Sequence, residues 1–215
     1  MNLSGHVATS EVDLVPTAES VMKILRETGA YRRGHFIYPN GKHASHYFQM
    51  PAAFRYYDNA RILAVGLSRL FRMEKAIASR LPKVSVISPS PGGIMVAFGV
   101  REALNAEQIY WAEMEDGKRQ FRQYIGEGEV NAAIIVDDIL RSGKAMQETF
   151  DLVKNELGAE VIGCGVIAKF EDAPNEFNGV PLKSLLTFDV NFYDTEEDWK
   201  KSRSASDAAE ERVRF

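Results

Sequence analysis

Short apolar runs alternate with amphipathic stretches through most of this chain. VSVIS (84–88), EQIYWA (107–112), AAIIV (132–136) and AEVIGCGVIAKF (159–170) are runs of β-branched, aromatic or small apolar residues bounded by polar turns. Such runs fit strands buried on both faces. Between them, IMVAFGVREAL (94–104) and SGKAMQETFDLVKNEL (142–157) carry apolar residues at helical spacing. The rhythm of strand, loop, helix, strand predicts an α/β fold with a parallel, Rossmann-like sheet and helices on both faces.

The pattern differs near the start. Thr17 is a candidate N-cap, with Val21, Ile24 and Leu25 on one face of a helix that Gly29 stops. Pro39-Asn40-Gly41 then lies between two aromatic-rich runs, the mark of a hairpin. Residues 58–73 are amphipathic at helical spacing, with Asp58 or Asn59 as cap. Late in the chain, KSLLTFDVNFY (183–193) suggests a strand pair at a sheet edge. SRSASDAAEERVRF (202–215) is polar, either frayed or a last short helix. No internal repeat or interdomain linker is visible. One domain is expected: a loose arm over 1–16, a helix and small hood over 17–56, a core over 57–195 and a polar tail over 196–215.

The stretch EMEDGKRQFRQYIGEGE (113–129) shows neither period. It is polar, holds three glycines, and reads as a long exposed loop or arm. Loops of that length in compact domains are uncommon and often functional.

Composition narrows the function. A formal net charge of −4 argues against a nucleic-acid binder. Nothing approaches the roughly 18 consecutive apolar residues of a membrane-crossing helix, and the first residues lack the basic start and apolar core of a signal peptide. The single cysteine, Cys164, lies in an apolar run and reads as a core thiol in a reducing compartment, with the cytoplasm as default.

The chemistry concentrates where AAIIV ends in Asp137 and Asp138. Adjacent strand residues point to opposite faces, so each carboxylate needs its own polar partner. The loop Arg141-Ser142-Gly143-Lys144-Ala145 follows and opens a helix. A helix N-terminus offers unpaired N–H groups and partial positive charge. Gly143 permits close backbone approach, Ser142 adds a hydroxyl, and Arg141 and Lys144 add charge. This is a phosphate cradle beside two acids, suited to a sugar phosphate. Asp as an ordinary turn or cap residue explains one of the pair but not both with the loop. SPSPGG (88–93) occupies the same kind of strand-to-helix position.

Two further sets were weighed. His43 and His46, three apart on an extended segment, point to opposite faces and make a poor metal pair. Phe36, Tyr38, Tyr47, Phe48, Phe54, Tyr56 and Tyr57 suit a core or dimer interface better than a base-stacking platform.

IIVDDILRSGKAM closely resembles the phosphoribosyl-pyrophosphate (PRPP) motif of the type I phosphoribosyltransferase family. GHFIYPNGKHASHYFQ, VSVISPSPGGIMVA, the arm ending in GEGE and the Asp-Asp loop come in the order of its orotate-using members, and the resemblance spans about residues 18–193. It implies an α/β core with a hood, a homodimer, Mg2+, and transfer of ribose 5-phosphate from PRPP to a nucleobase, orotate being favoured. Asp137 and Asp138 would contact the ribose, and a metal indirectly, through ribose hydroxyls or water. Residues 141–145 would hold the 5-phosphate. Ser88, Ser90, Gly92 and Gly93 would face the pyrophosphate, and Tyr47 and Phe48 the base.

The chain departs from the family at three places. Gly92 stands where a lysine is usual. The arm lacks the usual Arg-Lys pair and histidine; Lys118, Arg119 and Arg122 either supply that charge from shifted positions or form a solvated face. Arg141 and Lys144 replace small or hydroxyl residues. The alternative is a PRPP- or nucleotide-binding sensor on the same fold that has lost transfer, or a transferase for another base.

Overall fold

The computed structural model describes residues 15–89, 91–202 and the backbone of 210–212. Thr17 caps α1 (Ala18–Glu27) through its side chain, as its position before the apolar face predicts. The hairpin follows as β1 (Tyr31–Ile37) and β2 (His43–Phe48), antiparallel across the Pro-Asn-Gly turn. Two helices come next, α2 (Pro51–Phe54) and α3 (Tyr57–Arg72). The latter begins one residue before Asp58, and neither Asp58 nor Asn59 caps it; Tyr56 does, without a side-chain bond. A short α4 (Lys75–Ala78) leads into β3 (Ser85–Ser88), and α5 (Ile94–Leu104) runs to β4 (Gln108–Glu115).

The arm is where the sequence reading needs correction. Instead of an extended loop, β4 continues through Glu115, turns at Asp116-Gly117, and returns as antiparallel β5 (Lys118–Phe121). Both turn residues have positive φ (50° and 76°), the geometry of a two-residue hairpin turn that Asp-Gly favours. Alternation covers only Ala112 to Glu115 before the turn, and Lys118-Arg119-Gln120-Phe121 shows none.

The Asp-Asp strand is β6 (Ala132–Leu140), followed by α6 (Lys144–Glu156) and β7 (Glu160–Phe170). A two-residue β8 (Glu176–Phe177) precedes β9 (Val180–Phe188). KSLLTFDVNFY is therefore not an edge pair. β9 runs parallel to β7, and the end of the stretch crosses to the hood as β10 (Phe192–Tyr193), antiparallel to β2. Residues 196–201 of the expected tail form α7 (Glu196–Lys201), which buries Trp199, and β11 (Glu210–Arg212) pairs in parallel with β1. The hood is thus assembled from both ends of the chain, as a four-stranded sheet in the order β10-β2-β1-β11. The loose arm expected over 1–16 lies, up to residue 14, outside the described residues.

The core sheet has the order β5-β4-β3-β6-β7-β9-β8, parallel except at its two edge strands. From β3 the chain moves one way to β4; from β6 it moves the other way to β7. Right-handed crossovers therefore put α5 and α6 on opposite faces. The reversal falls between neighbouring β3 and β6, and the crevice at the carboxyl ends of those two strands is where such sheets bind ligands. The central strands are near-continuous in Ile, Val and Ala: Val86, Ile87, Ile134, Ile135, Val136, Val166 and Ile167 are inaccessible to solvent.

Candidate active site

The switch point brings the two sequence motifs into contact. β3 ends at Ser88 and releases the glycine loop; β6 delivers the two aspartates beside it. A Cβ on Gly92 would lie 2.7 Å from Asp138 Oδ2. A Cβ on Gly93 would collide with Asp137 Oδ1 and lie 2.6 Å from Ser88 Oγ. Both glycines exist here because the carboxylates leave no room for a side chain. Ser90 lies outside the described residues.

Asp137 and Asp138 are 6% and 8% exposed. The Asp138 N–H donates to Asp137 Oδ1 at 3.0 Å, and the Ile139 N–H donates to Asp138 Oδ1 at 2.7 Å. Burial pushes the Asp138 carboxyl above the usual carboxylate range, with the Ile139 amide opposing. A site that strains a carboxylate in this way favours a cationic or hydroxyl-bearing ligand over it.

The loop 141–145 leads into α6 with Gly143 as N-cap at φ 77°. A side chain at Gly143 would meet Phe177 at 3.0 Å and Pro174 at 3.1 Å, so the β7–β9 connection packs against the cradle from behind. Ser142 and Lys144 are exposed, and the Lys144 N–H faces Ser142 Oγ at 3.4 Å. The Arg141 guanidinium lies 3.9 Å over the Phe192 ring. That cation–π contact ties the cradle to the hood. Tyr38 packs edge-on against Phe192 and donates its hydroxyl to the His46 carbonyl; burial pushes its phenol up to about 12, with Arg141 opposing.

The three candidate cations of the arm separate. Arg119 turns inward: its side chain is 10% exposed, its Nε donates to Glu148 at 3.1 Å, and its Nη1 donates to the Pro89 carbonyl in the glycine loop. Lys118, one residue away on a strand, is exposed. Arg122 is exposed and faces Glu113 at 3.7 Å.

Tyr47 and Phe48 also separate by strand alternation. Phe48 faces the core, with ring centroids 4.8 Å from Phe188 and 5.4 Å from Phe170 at the carboxyl end of β7. Tyr47 lies on the other face of the hood, packed on Phe36 under Arg32. The histidines divide as expected: His43 hydrogen-bonds to His35 at 2.7 Å, while His46 stacks on Tyr31. Glu148 and Phe192 escaped the sequence reading. Glu148 lay unmarked among the polar positions of the helix stretch 142–157, and Phe192 within the stretch read as an edge strand pair.

The acids offer two buried carboxylates, and no group of three His, Cys, Asp or Glu side chains suited to a metal occurs among the described residues. That donor set fits Mg2+, which keeps several waters and is held by one or two carboxylates together with substrate oxygens.

No protein-family model matches the chain. It is 32% identical over 179 residues to orotate phosphoribosyltransferase of Thermotoga petrophila, covering 82% of this chain and 89% of that one. It is 29% identical to the enzyme of the same name from Caldanaerobacter subterraneus subsp. tengcongensis, covering 83% and 89%. Among solved structures, orotate phosphoribosyltransferase from Aeropyrum pernix matches with a TM-score of 0.63 at 20% identity, covering 78% of this chain and 93% of that one. The Mycobacterium tuberculosis H37Rv orotate phosphoribosyltransferase matches with a TM-score of 0.59 at 17% identity, covering 80% and 97%. A curled, mostly parallel sheet with this switch point, and relatives matched over nearly their full length, place the chain in the orotate phosphoribosyltransferase family.

Proposed function

We propose that the protein transfers ribose 5-phosphate from PRPP to orotate in pyrimidine nucleotide synthesis. The bond from ribose C1 to pyrophosphate breaks, C1 bonds to a ring nitrogen of the base, that nitrogen releases its proton to water, and pyrophosphate leaves. The observation that carries this reading is the contact of Gly92 and Gly93 with Asp138 and Asp137 at the switch point. It sets a backbone surface for pyrophosphate against acids for the ribose hydroxyls.

The residues divide the work by charge. The N-terminus of α6 and residues 141–145 hold the 5-phosphate. Asp137 and Asp138 take the ribose hydroxyls and stabilise positive charge developing at C1, as carboxylates do in glycoside chemistry. Arg119 stands at the glycine loop to take negative charge growing on the leaving pyrophosphate. Phe48 and the carboxyl end of β7 bound the base. Mg2+, held through the acids and substrate oxygens, would supply further neutralisation of the pyrophosphate.

A homodimer is part of the proposal. The groove between α3 and α5 exposes Tyr57, Met95 and Phe98, an apolar surface suited to a second copy. A reducing, cytoplasmic setting fits the single buried thiol of Cys164.

The deciding experiment measures pyrophosphate release from PRPP and Mg2+ with orotate, uracil, purines or no base, while calorimetry follows PRPP binding. Release with orotate alone is expected. Tight PRPP binding without release for any base would establish the sensor reading instead. That reading draws on the arm's missing lysine and histidine and on the exposure of Lys118 and Arg122.

A further inference from the structure

Glu148 lies outside every motif discussed so far. Four residues after Lys144 on α6, it has the spacing of a surface ion pair, and its contact with the 81%-exposed Lys144 at 3.7 Å contributes little. Its other oxygen does something different. Oε2 accepts from Arg119 Nε at 3.1 Å, and the same guanidinium donates through Nη1 to the Pro89 carbonyl. The Glu148–Arg119 pair thus joins three pieces distant in sequence: the helix behind the phosphate cradle, the arm hairpin and the glycine loop.

The geometry matters because a guanidinium is a rigid planar fork. Held at Nε by a carboxylate and at Nη1 by a carbonyl, it has one orientation left. Its charge is then held at the Pro89 end of the glycine loop. Without Glu148, a side chain with four rotatable bonds on a charged two-stranded hairpin would regain its rotamers. Charge fixed before the reaction needs no reorganisation when the leaving group departs.

We propose that Glu148 is a positioning residue, which fixes Arg119 against the glycine loop so that the arm's cation is in place for pyrophosphate. This rests on the transferase reading above. The test compares wild type with Glu148→Ala, Glu148→Gln, Arg119→Ala and the double variant Arg119→Ala with Glu148→Ala. It measures steady-state kinetics with PRPP and orotate, and tryptic cleavage after Lys118 and Arg122 in wild type and the two Glu148 variants.

Glu148→Ala should lower kcat/KM for PRPP about tenfold with the KM for orotate unchanged, and should speed cleavage of the arm. Glu148→Gln, which keeps an acceptor, should recover part of both. In the Arg119→Ala background, removing Glu148 should cost nothing more. Full additivity in the double variant, or wild-type kinetics in Glu148→Ala, would overturn the proposal. If wild type itself releases no pyrophosphate, the transferase reading fails. Cleavage then decides alone: unchanged rates in Glu148→Ala reject the positioning role, and faster cleavage reversed by Gln retains it.

Discussion

Gly92 and Asp138 occupy one space: a methyl group on the glycine would sit 2.7 Å from the Asp138 carboxylate. The family's usual lysine at this position therefore has no room unless the acid moves. Gly92→Lys should lower activity, and Gly92→Ala should already destabilise the fold by about 1–3 kcal/mol. Thermal denaturation and PRPP calorimetry check both; a more active lysine variant would refute the geometry.

Asp138 itself makes a pH prediction. Its pKa is raised in the folded state by burial. Between the unfolded and folded values the native protein binds more protons than the unfolded chain, so this group's contribution falls as pH rises through that window. Above it the full penalty persists. Asp138→Asn should therefore raise the unfolding midpoint near neutral pH, with the gain shrinking in acid, while pyrophosphate release is lost. Melts across pH alongside the release assay test the pairing. A midpoint lowered at neutral pH would contradict it.

Arg119 and Lys118 are neighbours with different fates. Replacing the inward Arg119 by alanine should cost about 100-fold or more in kcat/KM. Lys118→Ala should change it by no more than about twofold, as expected for an exposed strand residue. Equal losses would mean the hairpin presents its other face to substrate.

Gly143 is constrained twice, by its φ of 77° and by Phe177 and Pro174 at its back. Gly143→Ala should cost about 1–2 kcal/mol from the left-handed backbone alone and weaken PRPP binding. Denaturant melts and titration with PRPP report the two effects separately.

Cys164 should be inert. Burial pushes its thiol up to about 12, and no part of it reaches solvent. A thiol reagent at pH 8 should leave the native protein unlabelled and modify it only on unfolding.

The core was readable because buried parallel strands are spelled in runs of Ile, Val and Ala, and because Asp137-Asp138 and the glycine pair break those runs abruptly. What the sequence hid was pairing between distant segments. β9 carries the same apolar signal whether it joins β7 in parallel or folds back on a neighbour. The hairpin around Asp116-Gly117 alternates over only four residues of its first strand and not in its second, so periodicity is faint, although Asp-Gly alone was a turn signal. The separation of Tyr47 from Phe48 was implicit in strand alternation, but which face met the core depended on the sheet's placement. Glu148 was invisible for a simpler reason. Its partner Arg119 lies 29 positions away, and the obvious partner, Lys144, is the minor one.

The seating of Trp199 has a consequence for how the protein is made. Its indole stacks on His35 at 3.7 Å and donates to Ser45, two residues of the first hairpin. The same hairpin takes β10 on one edge and β11 on the other. On a ribosome the hairpin emerges some 150 positions ahead of the residues that cover it. Until then its edges are open to any other strand. The core can form while the hood waits, and the hood is completed only once β10, α7 and β11 have been made.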